Sequence, residues 1–191
     1  MVRAKIGVLA LQGDFAEHLK ILEGCGYRVA VVRSKQDLES VNALIFPGGE
    51  STTILKLIDR LGLRDALTKK IADGMPAFGT CAGAIVLAQR VSDGEEPLGL
   101  LDVTITRNAY GRQVDSFEAD LDVEGFEEPV KGVFIRAPVI DEVGAEVETM
   151  ASWGDRPVLV RANNLLASTF HPELAGEHRI HKYFVEQMIA S

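Results

Sequence analysis

Short apolar runs alternate with helical periodicities through the first half of this chain, and that alternation restricts the fold more than any other feature. Residues 5–11 (KIGVLAL) form one continuous apolar run, the pattern of a strand buried on both faces. Residues 14–24 then place Phe15, Leu19 and Leu22 at helix spacing, and Gly24 and Gly26 close that helix before a second run at 27–32 (YRVAVV). A third run at 43–46 (ALIF) leads into the turn Pro47-Gly48-Gly49. Ser51 stands where an N-cap belongs, ahead of Ile54, Leu55, Leu57, Ile58 and Leu61. Residues 75–78 are apolar again, and 82–90 (AGAIVLAQR) read as a helix after a tight turn. Apolar strands separated by helices imply an α/β fold, with a mostly parallel central sheet covered on both faces.

The pattern changes after about residue 100. Segments 102–107, 116–123, 132–136 and 147–151 are rich in β-branched residues with polar alternation, which predicts antiparallel strands appended to the sheet. Residues 157–161 and 165–170 predict a hairpin across Asn163-Asn164, and the last helix is expected over 176–190, with Ile180, Tyr183, Phe184, Gln187 and Met188 on its periodic face. No Pro/Gly/Ser-rich linker interrupts the chain, so residues 1–191 are expected to form one domain.

Composition removes several classes of function. With 20 Lys+Arg against 28 Asp+Glu, the net charge of −8 argues against a nucleic-acid binder, which needs a basic stripe to displace counterions. Cys25 and Cys81 are the only cysteines, too few for a secreted disulfide framework. Gln12 and Asp14 end the first apolar run, and no run approaches the length of a membrane span. A soluble, cytoplasmic protein is expected.

Three turns carry chemistry. Phe78-Gly79-Thr80-Cys81-Ala82-Gly83 lies between a strand and a helix and matches a G-x-nucleophile-x-G elbow with cysteine in the nucleophile position. Its helix would begin at once, so free amides would favour a thiolate and a nearby oxyanion. Cys25, between two glycines at a helix end, is expected only to pack. Phe170-His171-Pro172-Glu173 ends the last predicted strand; residues two apart share a face of extended chain, so Glu173 can orient His171 as the base of Cys81. In Pro47-Gly48-Gly49-Glu50-Ser51, the backbone N–H of Gly48 or Gly49, together with that of Ala82, would form an oxyanion hole. One such donor lowers the barrier by roughly 2.7–4 kcal/mol. His178 and His181 are read as a solvated helix face rather than a metal site, and His18 as a polar helix position. Arg107 and Arg136 are left open between ion-pair partners and holders of a substrate carboxylate.

The combination of P-G-G-E-S, F-G-T-C-A-G and F-H-P-E resembles the class I, triad-type glutamine amidotransferases. Leu11-Gln12-Gly13-Asp14, Gly48-Gly49-Glu50-Ser51-Thr52-Thr53, Arg107-Asn108-Ala109-Tyr110-Gly111-Arg112-Gln113, Asp115-Ser116-Phe117-Glu118 and Gly132-Val133-Phe134-Ile135-Arg136-Ala137-Pro138 narrow the resemblance to the glutaminase subunits of pyridoxal 5'-phosphate synthases. That resemblance covers nearly the whole chain. It implies a flavodoxin-like three-layer fold, hydrolysis of L-glutamine without a cofactor or metal, and delivery of ammonia to a (β/α)8 synthase subunit in a hetero-oligomeric complex. It further implies that Gly49, Glu50, Ser51, Arg107, Ile135 and Arg136 contact glutamine, and that Gln12 lies near the oxyanion region and the subunit interface. A peptide flip at Gly48-Gly49 would serve as a latch. The residues alone also admit a γ-glutamyl hydrolase or other cysteine hydrolase, or a binding module whose cysteine senses oxidants.

Overall fold

The computed structural model describes residues 4–92, 96–107 and 116–189; residues 108–113 and 115, which carry part of the resemblance, lie outside the described residues. Five apolar runs build the parallel part of the central sheet: β1 (Lys5–Leu9), β2 (Arg28–Val32), β3 (Ala43–Phe46), β4 (Ala77–Thr80) and, far along the chain, β12 (Leu165–Ser168). The order is β2-β1-β3-β4-β12 with every neighbouring pair parallel, which is the doubly wound arrangement of flavodoxin-like folds. β10 (Glu148–Trp153) and β11 (Arg156–Ala162) extend the β12 edge antiparallel. The expected hairpin across Asn163-Asn164 is present, with Asn163 at φ +49°.

Two apolar cores flank the sheet. One packs Leu44 and Phe46 against α3 (Ser51–Arg60), α4 (Arg64–Ala72) and α5 (Ala82–Leu87). The other packs Ile45, Phe78 and Leu166 against α1 (Phe15–Gly24) and α6 (Arg179–Tyr183). Strand β3 alternates between them: Leu44 and Phe46 face one core and Ala43 and Ile45 the other, as period-two side chains must. The short helix α2 (Lys35–Glu39), capped by the Ser34 side chain, completes the first-half order. No helix among the described residues is long and apolar enough to cross a membrane.

Several expectations are corrected. Of the predicted appended strands, only 147–151 joins the central sheet, as β10. β5 (Ala88–Val91), β6 (Leu101–Thr106) and β9 (Val139–Val143) form a separate three-stranded sheet, and β7 (Ser116–Leu121) with β8 (Val130–Ile135) forms a two-stranded ribbon. The predicted helix over 82–90 stops at Leu87 because Ala88 turns extended (φ −55°, ψ 156°) and pairs with Leu101. Ser51 is the first helical residue and not the cap. Glu50 takes that place in extended backbone, and its carbonyl accepts from the Ile54 amide. The last helix starts at Arg179, after a turn with Gly176 at φ +67°, and widens to π-helix over Phe184–Ile189. Cys25 is half-buried and not part of either core.

Candidate active site

The elbow forms where β4 runs into α5. Gly79 and Gly83 permit it by close approach: a Cβ on Gly83 would fall 2.0 Å from the Phe46 carbonyl oxygen, and one on Gly79 2.5 Å from the Gly83 backbone. Cys81, between them, sits at φ +48°, ψ −106°, a conformation a non-glycine residue holds only when its surroundings impose it. The Cys81 amide donates to the Ser168 carbonyl at 2.8 Å, which ties the elbow to β12. Its side chain is buried at the floor of a cavity of about 350 Å³.

His171 reaches the same cavity from the opposite side. Its backbone amide donates to the Val133 carbonyl at 2.8 Å, so the β8 ribbon holds it in place. His171 Nδ1 is 2.6 Å from Glu173 Oε1, as the spacing in H-P-E predicts. Asp14 Oδ2 lies 3.0 Å from the same nitrogen, a neighbour that sequence spacing gives no means of pairing with His171. Burial pulls His171 down, but hydrogen bonds with Asp14, Cys81 and Glu173 push it up to about 12. Burial pushes Glu173 up to about 7, with His171 opposing and Asp14 adding. Burial also raises Asp14, yet its contacts with His171 and Glu173 hold it at about 2. The site therefore holds an imidazolium beside the Cys81 sulfur, with two carboxyl groups on its far nitrogen of which Asp14 keeps the charge most readily.

All six residues that the resemblance associates with glutamine line this cavity: Gly49, Glu50, Ser51, Arg107, Ile135 and Arg136. Arg136 Nη2 is 3.3 Å from Glu50 Oε1, and Arg107 donates to Thr52 Oγ1 at 3.2 Å. One wall thus carries two guanidinium groups and a carboxylate, with Arg136 and Glu50 paired to each other, group types that match an amino acid's carboxylate and ammonium. Arg136 has φ +42°, a sharp turn that follows β8. Gln12 also lines the cavity, and its Oε1 accepts from the Glu50 amide at 2.8 Å. Of the oxyanion candidates, Gly49 (φ +145°) and Ala82 line the cavity, whereas Gly48 packs against the imidazole, where a Cβ would meet His171 Cε1 at 2.3 Å. The Gly48 carbonyl accepts from the Asp14 amide at 3.2 Å.

Two histidines are not where the sequence suggests. His18 and His181 are fully buried and share a hydrogen bond, Nδ1 to Nε2, at 2.8 Å. The expected solvent-facing reading of the last helix holds for the exposed His178 and fails for His181. Burial pulls His18 well below its usual range and His181 down to about 4. Asp14, His18 and Glu173 bring possible metal-ligand atoms within 4.8 Å of one another. Those of Asp14 and Glu173 face His171 Nδ1, and His18 Nε2 faces Thr80. The second oxygens of these carboxyl groups, Asp14 Oδ1 and Glu173 Oε2, are buried without a hydrogen-bond partner among the described residues.

Comparison with known proteins gives the family. Residues 8–190 match the SNO glutamine amidotransferase family. Relatives named pyridoxal 5'-phosphate synthase subunit PdxT are 54% identical in Thermus thermophilus (97% of this chain and 98% of the relative) and 51% identical in Pelotomaculum thermopropionicum (97% and 95%). A crystal structure described as a glutamine amidotransferase superposes with a TM-score of 0.91 at 52% identity, covering 95% of this chain and 97% of the other. With the matched span covering nearly the whole sequence, this chain belongs to the SNO glutamine amidotransferase family.

Proposed function

We propose that this chain is the glutaminase subunit of a pyridoxal 5'-phosphate synthase, in which residues 1–191 act as one cytoplasmic domain. It hydrolyses L-glutamine and passes the ammonia to a synthase subunit built as a (β/α)8 barrel. The observation that carries the reading is the approach of Cys81 and His171 on one cavity whose wall bears Glu50, Arg107 and Arg136. Arg107 and Arg136 hold the substrate carboxylate, Glu50 its ammonium, and Gly49, Ser51 and Ile135 shape the wall around it.

The Cys81 thiolate attacks the side-chain amide carbon. The oxyanion that forms is held by the Ala82 N–H and by an N–H of the Gly48-Gly49 turn. His171, protonated at the start, gives its proton to the departing nitrogen, so the C–N bond breaks to release ammonia and leave a γ-glutamyl thioester. The now neutral imidazole takes a proton from water as the water attacks the thioester. Collapse then releases glutamate, restores the thiolate and leaves His171 protonated again. Glu173 keeps the imidazole oriented through both halves. Ammonia released into bulk water would be protonated and diluted, so a docked synthase that receives it directly serves the chemistry. On this reading Gln12, whose Oε1 accepts from the Glu50 amide, lies near the interface with the synthase and the oxyanion turn.

The test is trapping of the intermediate. With the synthase subunit and L-glutamine present, acid quench should yield a γ-glutamyl adduct on Cys81 by mass spectrometry, and Cys81→Ala should yield none. An adduct on Cys25, or turnover with no adduct at saturating glutamine and an initial burst, would reject the assignment.

A further inference from the structure

Glu173 has a second neighbour on the side away from the cavity. His18 Nε2 lies 3.5 Å from Glu173 Oε1, the same oxygen that meets His171, and 3.2 Å from Thr80 Oγ1. Its other nitrogen meets His181. These contacts run from α1 to the end of β4 and to α6, and both rings are fully buried in the core that packs Phe78 against Phe184. A buried position among phenylalanines would be filled at less desolvation cost by an apolar ring, so two neutral imidazoles there need a reason. Each neutral ring offers one donor and one acceptor. Placing the His18 proton on Nε2 presents one N–H to Thr80 Oγ1 and, at longer range, to the Glu173 carboxylate, and leaves Nδ1 to accept from His181. The opposite tautomer aims a lone pair at that carboxylate. The 3.5 Å separation is long for a hydrogen bond, as hydrogen bonds of catalytic groups in unliganded structures often are.

We propose that His18 is a positioning residue for the glutaminase reaction, fixing the Glu173 carboxylate from behind so that its Oε1 stays on His171 Nδ1, with Thr80 and His181 fixing His18 in turn. The inference rests on the proposed function above. Because His18 touches neither substrate nor the reacting atoms, it should alter turnover and not substrate affinity.

The experiment measures glutamine-dependent ammonia release by the assembled complex for His18→Phe, His18→Gln, Glu173→Gln and the double variant His18→Phe/Glu173→Gln. His18→Phe is expected to lower kcat about 10–100-fold, the effect of displacing a catalytic group by a fraction of an ångström, with KM within about twofold. His18→Gln keeps a donor near the Nε2 position and should recover most of that loss. In the Glu173→Gln background, His18→Phe should add less than about threefold, because it acts through the group already removed. Full additivity, equal kcat for the Gln and Phe variants, or unchanged kcat in His18→Phe would each overturn the proposal. Should His18→Phe fail to fold, His18→Asn, whose shorter head withdraws from Glu173, replaces it in the cycle with the same expectations. An unaffected Glu173→Gln would instead break the triad assignment on which the inference stands.

Discussion

On one side of Glu173, His171 opens onto the cavity, faces a sulfur and two carboxyl groups, and is pushed up to about 12. On the other side, His18 and His181 are sealed from water and pulled down, His181 to about 4. The residue type is the same, so the contrast comes from the neighbours. Carboxylates within hydrogen-bond reach outweigh burial for His171, whereas burial outweighs the opposing pull of Asp14 on His18 and of Glu177 on His181. In the proposed mechanism the front side moves a proton and the rear side keeps one still.

The sharpest way to break this contrast is His171→Asn. Loss of the front imidazole should reduce glutaminase turnover of the complex by about 10⁴-fold or more. A loss no greater than that of His18→Phe would mean that the two sides do not differ in role. Next in size is Glu173→Gln, expected to reduce kcat by about 10²–10⁴-fold. Asp14 still faces Nδ1 at 3.0 Å, so residual activity should exceed that of His171→Asn and fall further on adding Asp14→Asn. Equal residual rates with and without Asp14 would remove it from the set. Arg136→Gln tests the substrate wall: KM for glutamine should rise about 10–100-fold, the loss of a hydrogen bond to a charged group, with kcat within a few-fold.

The smallest effect concerns stability. Asp14 is depressed to about 2 in the folded chain, against a usual 3.8, so its ionised form stabilises the fold above pH 3.8. That contribution is lost as the pH falls from 3.8 through about 2. Unfolding free energies of wild type and Asp14→Asn, from denaturant titration, should therefore differ by about 1–2 kcal/mol near neutral pH and converge toward pH 2. A gap that persists unchanged at pH 2 would show that Asp14 acts by packing alone.

The two sides also differ in how far they could be read from sequence. The front is local: elbow, H-P-E and P-G-G-E-S are each a few residues long, and each constrains its own turn. The residues alone leave Arg107 and Arg136 open between ion-pair partners and substrate holders, and only resemblance puts them and Ile135 at glutamine, because β8 is brought to the cavity by pairing with β7 and by one bridge to His171. The rear is non-local throughout. His18 and His181 are 163 positions apart in the chain, and at helix spacing a histidine reads as surface. A clue was available for His18, which lies three residues after Phe15 and four before Leu22, on the apolar face of α1. The parallel strands were legible as unbroken apolar runs. The alternating segments of the second half were recognisable as strands, but alternation does not say which sheet a strand joins. The separate β5-β6-β9 sheet and the β7-β8 ribbon therefore appear only in the structure.

On the proposed function, Cys81 on the front side hydrolyses glutamine when a synthase subunit is docked. Ammonia release from L-glutamine, measured for wild type and Cys81→Ala with and without that subunit, tests it most directly. Wild type should turn over glutamine faster on adding the synthase, and Cys81→Ala should release no ammonia above background in either case. Near-normal ammonia release by Cys81→Ala in the assembled complex would contradict it.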